Sequence, residues 1–220
     1  MLSHRLRKIS DLIQPSQTMC DVGSDHALLP IALLKSSKVE KAIVVEIAKG
    51  PLEKAQFECA NQGVSSKVDF YLSDGLLKVN QEIDVVVCAG MGFDTISGIL
   101  LNSLEKFKKI DQIILQSNSK VDELRQFMNQ YKFVLIDEAF VLDRKRPYVI
   151  LKYSYNTKTQ VLNDEDYIIG PILKHSNQSD YLDYLKNQLI LYTDLVKNDP
   201  HRYQSKVDHL RKYLASKETV

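Results

Sequence analysis

The sequence predicts an α/β protein with a mostly parallel, doubly wound sheet that ends in an antiparallel strand pair. Five apolar runs typical of buried strands alternate with helix-like segments between residues 18 and 130. Two further β-rich runs, 132–141 and 148–153, follow each other without a helix between them, as in a hairpin. We therefore expect a seven-stranded sheet.

The predicted elements follow in a regular order. Residues 3–13 have the apolar spacing of an amphipathic helix, which Pro15 ends. The run 83–88 is apolar on both faces, so we expect it at the centre of the sheet. The remaining elements before the hairpin are strands 18–22, 41–46, 68–72 and 112–116, and helices to about 36, over 49–62, to about 106 and over 121–130.

Beyond residue 160 the pattern changes to that of two helices. Apolar residues within 182–196 and within 203–214 repeat at steps of three and four, which is a heptad seam. Asp199 is an N-cap residue type and Pro200 suits the first helical position. We predict two domains, 1–158 with the sheet and 159–220 with an antiparallel helical hairpin, or short coiled coil. The hairpin carries no basic excess, so we expect a scaffold or a surface that recognises shape.

Composition excludes several classes of protein. The 220 residues are 44% hydrophobic and 26% charged, as in an ordinary globular protein. A net charge of +1 shows no overall basic excess, so nucleic-acid binding needs a local patch. The widely spaced Cys20, Cys59 and Cys88 favour reduced core thiols over disulfides or a metal site. Without a long apolar run or a signal-peptide core, we expect a cytoplasmic protein with no membrane partner.

Polar or small residues stand where each parallel strand is expected to end. They are Gly23, Glu46, Asp74, Gly90 and Gln116. Because the carboxyl ends of parallel strands meet at one edge of a sheet, we expect these residues to lie together. Sheets of this kind bind nucleotides at that edge, and the sequence predicts a ligand site there.

The turn after the first strand, Asp21 to His26, favours one kind of ligand. Gly23 lacks a Cβ, so a ligand or a sharp turn can approach its backbone closely. Ser24 and Asp25 are N-cap residue types for the helix that follows. A dinucleotide site would have a second glycine where Asp25 stands, and a carboxylate there repels a pyrophosphate. The turn favours a cationic or amino-acid-bearing ligand over NAD; an ordinary cap and turn is the alternative.

Later strand ends suit the nucleoside part of such a ligand. Glu46 lies 23 positions beyond Gly23, near the spacing of the ribose-binding acid in nucleotide-binding βαβ units. Asp74 can accept a hydrogen bond from an adenine amino group, although the Asp74-Gly75 pair is also common turn chemistry. Two glycines in Ala89–Gly92 let a planar base approach the backbone.

Together these motifs resemble the TrmK family of bacterial tRNA (adenine-N1) methyltransferases. The resemblance covers about residues 3–153 and includes the C-terminal hairpin. It rests on Asp21–Pro30, Glu46 with Lys49–Pro51, Asp74–Leu76, Ala89–Gly92 and Leu115–Asn118. The chain departs from the family pattern at Phe93, where a glycine is usual, and at Ser117, where a proline is usual.

The resemblance implies a Rossmann-like class I methyltransferase that uses S-adenosylmethionine to methylate N1 of the adenosine at nucleotide 22 of tRNA. The target base would lie against Gly92, Phe93, Gln116 and Asn118. The cofactor would contact Asp21, Gly23, Ser24, Asp25, His26, Glu46, Asp74, Gly75, Ala89, Gly90 and Met91.

This reaction needs no metal. Adenine N1 has a free lone pair that attacks a methyl group once the two are aligned, so orientation and desolvation supply most of the rate. The ring becomes positively charged, and a nearby carboxylate stabilises that charge or takes a proton from the exocyclic amine. Asp25 is the candidate catalytic residue, with His26 as an auxiliary. Because N1 lies on the pairing edge, the base must be unpaired or unstacked.

An almost neutral protein needs clustered cations to hold tRNA phosphates. Two clusters stand out, one in the leading helix and one at the tip of the strand hairpin, unless both are ordinary solvated surface. Their members are His4, Arg5, Arg7 and Lys8, and Arg144, Lys145 and Arg146, of which the arginines are the candidate ligands. Two other functions remain open: a same-fold methyltransferase for a small molecule or a protein, and a non-catalytic tRNA-binding module. We expect a monomer.

Overall fold

The computed structural model describes residues 2–158 and 160–218. The strands are β1 Ser16–Val22, β2 Val39–Glu46, β3 Val68–Leu72, β4 Val85–Met91, β5 Gln112–Ser117, β6 Phe133–Asp143 and β7 Arg146–Tyr155. The helices are α1 His4–Leu12, α2 Leu28–Lys35, α3 Lys49–Asn61, α4 Phe93–Asn102, α5 Leu104–Phe107, α6 Val121–Gln130, α7 Asp164–Ile169, α8 Ser179–Leu195 and α9 Pro200–Glu218. Short 3₁₀ turns cover Ser65–Lys67 and Leu173–His175.

The seven strands form one sheet in the order β3-β2-β1-β4-β5-β7-β6. Strands β1 to β5 are parallel to one another, whereas β7 is antiparallel to both β5 and β6. The predicted mostly parallel, Rossmann-like sheet with a closing hairpin is confirmed. The order reverses between β1 and β4, so the crevice at their carboxyl ends is where a sheet of this type binds ligands.

The sheet has a hydrophobic core on each face. Helices α1 to α3 cover one face, and α4 to α9 cover the other. The central position predicted for β4 is confirmed, because Val85, Val86, Val87 and Cys88 are all fully buried. All three cysteines are free and buried, as expected for core thiols.

The C-terminal segment packs onto this core. Asp199 Oδ1 accepts a hydrogen bond from the Arg202 backbone N at 3.1 Å, which confirms the N-cap predicted for the last helix. The rings of Tyr192 and Tyr203 stack at 5.7 Å between α8 and α9. Helix α7 was not predicted. The proposed domain boundary falls at Thr159, which lies outside the described residues.

Three local expectations were wrong. Helix α2 begins only at Leu28, after Ala27 in a left-handed conformation, and has no side-chain cap. The helix expected to reach residue 106 breaks at Ser103 into α4 and α5. The basic tip of the strand hairpin is shorter than expected, because β6 and β7 pair as far as Asp143 and Arg146 and the two residues between them have positive φ. Two such residues give a tight turn whose twist matches that of the strands.

Within residues 2–158 and 160–218, no helix is long and apolar enough to cross a membrane. The same described residues contain no group of three or more His, Cys, Asp or Glu side chains placed to bind a metal.

Candidate active site

The turn at Gly23 is built for close approach. Its φ is +76°, and its backbone N donates to Val45 O at 2.8 Å, which holds the turn against β2. A Cβ at this position would lie 2.2 Å from Cε of Met91. Any other residue would therefore strain the backbone at this φ and displace the end of the Met91 side chain. The Met91 thioether lies directly over the turn.

The buried Asp21 carboxyl and the half-buried Ser24 hydroxyl form a hydrogen-bonded pair in this turn. The Ser24 hydroxyl donates to Asp21 Oδ2 at 2.5 Å. Burial raises the pKa of Asp21 to about 6, and nearby Glu46 adds to the rise, while Ser24 and the guanidinium of Arg5 oppose it. Ser24 does not cap α2, contrary to the expectation from its residue type, because the helix begins only at Leu28 with Ala27 at the cap position.

Glu46 joins the first turn to the second strand. Its side chain is buried, and Oε1 accepts a hydrogen bond from the Asp25 backbone N at 2.5 Å. Burial is the largest cause of the raised pKa of Glu46. Asp25 has a φ of 53° and lies two residues before Ala27, which occupies the cap position of α2. This is why Asp25 does not cap α2 either.

The side chains of Asp25 and His26 face outward from this turn. Asp25 Oδ2 and His26 Nε2 lie 3.6 Å apart, and the two side chains are 64% and 50% exposed. Since neither is packed into the core, both are available to a ligand at the carboxyl edge.

Asp74 and Gly75 lie beyond the end of β3, on the same edge. The backbone N of Ser73 donates to Glu46 O at 2.9 Å and so ties this end to β2. The Asp74 side chain is exposed. Gly75 has a φ of +52°, and a Cβ there would lie 2.7 Å from Ile99 Cγ2, so turn geometry by itself requires this glycine.

Gly90 is the extra residue of a bulge in β4. Ala89 pairs with Gln116 and Met91 with Ser117, which leaves Gly90 between them with a φ of +81°. Such bulges re-aim a strand and are common next to active sites. The backbone N of Gly90 donates to Gln116 Oε1 at 3.0 Å, and its carbonyl accepts from Asn118 Nδ2 at 2.8 Å.

The two departures from the family pattern both have local partners. The ring of Phe93 packs edge-on against Phe127 with 6.0 Å between centroids, and Lys120 Nζ lies 5.6 Å from its centre. The Ser117 hydroxyl donates to Ser119 O at 2.6 Å and closes the turn after β5. Phe93 is half-buried next to the N-terminal glycine of α4, Gly92.

The structure divides the first basic cluster. Arg7 and His4 are exposed, but Nη1 of Arg5 donates to Gln116 Oε1 at 2.7 Å, and Cζ lies 5.1 Å from the centre of the Tyr148 ring. Arg5 is therefore held by Gln116 and Tyr148 and does not join Arg7 and His4 in the exposed cation cluster that the sequence predicted.

The hairpin tip lies next to the start of α1. The Arg5 backbone N donates to Asp143 Oδ2 at 3.3 Å. The Ser3 hydroxyl is the main reason that the pKa of Asp143 is lowered. Arg144 and Arg146 are exposed beside this contact, beyond the carboxyl end of β5. The cations of α1 and of the tip thus border one edge of the molecule.

A groove of about 710 Å³ opens between the end of β5 and helices α8 and α9. This groove was not predictable from the sequence, because its walls come from segments far apart in the chain. Among its lining residues are Lys120, Arg146, Tyr148, Tyr184, Gln188, Arg202 and Lys206. Lys206 pairs with Asp122 at 2.5 Å and Arg202 with Glu123 at 2.5 Å, so two ion pairs join α9 to α6 along this groove.

The strand order, the single-glycine turn and the acids at the ends of β1 and β2 define a class of protein, the S-adenosylmethionine-dependent methyltransferases of Rossmann-like fold. Comparison with known proteins gives the family. The sequence model described as TrmK, tRNA (adenine(22)-N(1))-methyltransferase, matches residues 19–218. The chain belongs to this TrmK family.

Individual relatives agree with this family assignment. The chain is 32% identical over 151 residues to tRNA (adenine(22)-N(1))-methyltransferase of Bacillus subtilis strain 168, a match that spans 68% of this chain and 63% of that protein. The crystal structure of the B. subtilis m1A22 tRNA methyltransferase TrmK has a TM-score of 0.82 at 25% identity, covering 99% and 98% of the two chains. M. capricolum TrmK in complex with S-adenosyl-homocysteine has a TM-score of 0.85 at 28% identity and 98% coverage of both chains.

Proposed function

We propose that this protein transfers a methyl group from S-adenosylmethionine to N1 of adenosine 22 in tRNA. Family membership supports the reaction. The observation that carries the proposal is the meeting of the Gly23 turn, the Glu46 carboxylate and the Gly90 bulge at one sheet edge. A cofactor and a planar base can approach one another there.

The residues at this edge suit S-adenosylmethionine. Gly23 is exposed and has no Cβ, so a ligand can approach the backbone of this turn closely. Glu46 stands at the end of β2, where a carboxylate accepts the two hydroxyl hydrogen bonds of a ribose. We place the amino-acid part against Ser24, Asp25 and His26. When bound, the cofactor supplies an electrophilic methyl group on a sulfonium.

Asp25 is the proposed catalytic residue. Its carboxylate is 64% exposed beside the turn, so it can face an incoming base. It would stabilise the positive charge that N1-methylation leaves on the ring, or accept a proton from the exocyclic amine. His26 lies 3.6 Å away and would orient that carboxylate.

We propose that tRNA lies across the exposed cations of α1 and the hairpin tip, with the groove beside α8 and α9 as a wall. The exposure of Arg7, Arg144 and Arg146 supports the phosphate role, as does their position along one edge. The groove between β5 and the hairpin supports a role of α8 and α9 in recognising tRNA shape. The buried free thiols suit the reducing cytoplasm, where we propose that the protein acts as a monomer.

The test is mass spectrometry of nucleosides from unmodified tRNA incubated with enzyme and S-adenosylmethionine. We expect 1-methyladenosine at position 22, and none in a transcript that carries guanosine there. Asp25→Ala should lose most turnover while its cofactor affinity, measured by calorimetry, changes much less. Cofactor binding without methylated tRNA would point to another substrate, and the absence of cofactor binding would favour a non-catalytic module.

A further inference from the structure

Arg5 makes contacts that the phosphate role does not explain. Its Nη1 donates to Gln116 Oε1 at 2.7 Å, although the two residues are 111 positions apart in the chain. The Tyr148 ring supports the guanidinium at 5.1 Å, and the Arg5 backbone N donates to Asp143. One side chain thus links α1, β5 and the hairpin.

The acceptor of this hydrogen bond is itself part of a closed ring around Gly90. Gln116 is fully buried, and its Oε1 accepts from both Arg5 and the Gly90 backbone N. Its Nε2 donates to Asn118 Oδ1 at 3.0 Å, and Asn118 Nδ2 donates to the Gly90 carbonyl at 2.8 Å. The backbone N–H and C=O of Gly90 are therefore both hydrogen-bonded to side chains at the end of β5.

Arg5 also borders the bulge directly. A Cβ at Gly90 would lie 2.9 Å from Arg5 Nη1, so the guanidinium lies against the glycine. Helix α1 is a firm base for this contact, because Ser3 caps its N-terminus and Lys152 Nζ donates to the Leu12 carbonyl at its C-terminus at 2.8 Å. The planar guanidinium of Arg5 can hydrogen-bond Gln116 and lie over the Tyr148 ring at the same time. The compact ammonium group of a lysine cannot make both contacts.

We propose that Arg5 is a positioning residue for methyl transfer and not a phosphate ligand. Through Gln116 it holds Gly90 in its left-handed conformation and so fixes the surface on which the target base is aligned. This inference rests on the proposed function, because the alignment concerns its base. Loss of Arg5 should misplace the base relative to the methyl group, and small misplacements at a reacting centre cost up to about 100-fold in rate.

The experiment compares Arg5→Ala and Arg5→Lys with Arg7→Ala, an exposed arginine of the same helix. We expect both Arg5 variants to lower kcat by about 10- to 100-fold, with a KM for tRNA within about threefold of wild type. Arg7→Ala should instead raise KM and flatten its dependence on salt, with kcat near normal. Lys109→Ala, an exposed cation before the amino end of β5, is the control for general charge loss.

Two further measurements separate positioning from simple loss of structure. The double variant Arg5→Ala/Gln116→Ala should be no slower than Gln116→Ala alone, because both changes break one network. Added guanidinium ion should restore part of kcat to Arg5→Ala. Calorimetry with S-adenosylmethionine on every variant identifies those that are folded, and Arg5→Lys keeps the test valid if Arg5→Ala does not fold.

The activity of the wild-type enzyme distinguishes a failure of the proposed function from a failure of the positioning role of Arg5. If wild-type enzyme does not methylate tRNA, the proposed function is wrong. If it does, and folded Arg5 variants show raised KM, normal kcat and a flatter salt dependence, Arg5 is a phosphate ligand and the positioning role is refuted. Additive loss in the double variant would also overturn it.

Discussion

Replacing Asp21 by asparagine should stabilise the ligand-free protein at neutral pH. The Asp21 carboxyl is buried beside Glu46 at the end of β1, and its ionisation is unfavourable there. Asparagine has a similar shape and keeps an acceptor for the Ser24 hydroxyl, so the change mainly removes the charge. The variant therefore isolates the cost of a buried carboxylate in this turn.

The size of the effect follows from the pKa. The Asp21 carboxyl has an ordinary pKa of 3.8 and a pKa of about 6 in the folded protein, so the folded state binds its proton more tightly than the unfolded chain. Its contribution to stability is complete below pH 3.8 and is lost as the pH rises through about 6. The loss at pH 7.5 is about 3 kcal/mol, since each pKa unit corresponds to about 1.4 kcal/mol.

Thermal unfolding followed by circular dichroism between pH 4 and pH 8 provides the measurement. Asp21→Asn should melt about 6–12 °C above wild type at pH 7.5, and the difference should shrink towards pH 4. Asp111→Asn, an exposed carboxyl change, is the matched control. Saturating S-adenosylmethionine should stabilise wild type more than Asp21→Asn, because the carboxylate belongs to the proposed cofactor site. A difference in melting temperature that does not vary with pH would refute this account of Asp21.

Two further predictions concern the cofactor site and the C-terminal segment. Glu46→Ala should weaken S-adenosylmethionine binding by about 1–3 kcal/mol in calorimetry, with a smaller loss in Glu46→Gln, and unchanged affinity would remove Glu46 from the site. Arg125→Ala should destabilise the protein by about 3–5 kcal/mol in urea unfolding, because it leaves the buried Glu138 without the ion pair that joins their side chains at 2.8 Å. Lys197→Ala, which breaks an exposed pair, should leave the urea midpoint unchanged, and equal effects of the two variants would contradict the role of burial.

Some elements were predictable to the residue, and others were not. Strand Val68–Leu72 and helix Val121–Gln130 agree with their sequence patterns, since alternation and helical spacing are local properties. The start of α2 was misplaced, because Glu46 of β2 holds the Asp25 backbone N and the turn keeps Asp25 and Ala27 at positive φ, so the helix begins only at Leu28. Residue type predicted a cap, but the conformation of this turn depends on a contact with the neighbouring strand β2.

The candidate site residues also divide into those that the sequence predicts and those that it does not. The positions of Gly23, Glu46 and Gly90 at strand ends could be read from the sequence, because parallel strands bring their carboxyl ends to one edge. The role of Arg5 could not be read from the sequence. An arginine on a polar helix face gives the same local pattern whether its side chain is solvated or hydrogen-bonded to Gln116.

The sequence by itself determined the alternation of strands and helices, the closing hairpin, the C-terminal helix pair and the family, because periodicity and short motifs are encoded by neighbouring residues. Only the tertiary structure decided which distant side chains meet. It placed Arg5 on Gln116, buried Arg125 against Glu138, and built a groove from the end of β5 and helices α8 and α9. Such contacts depend on strand order and on competition for buried hydrogen bonds, which only the packed chain specifies.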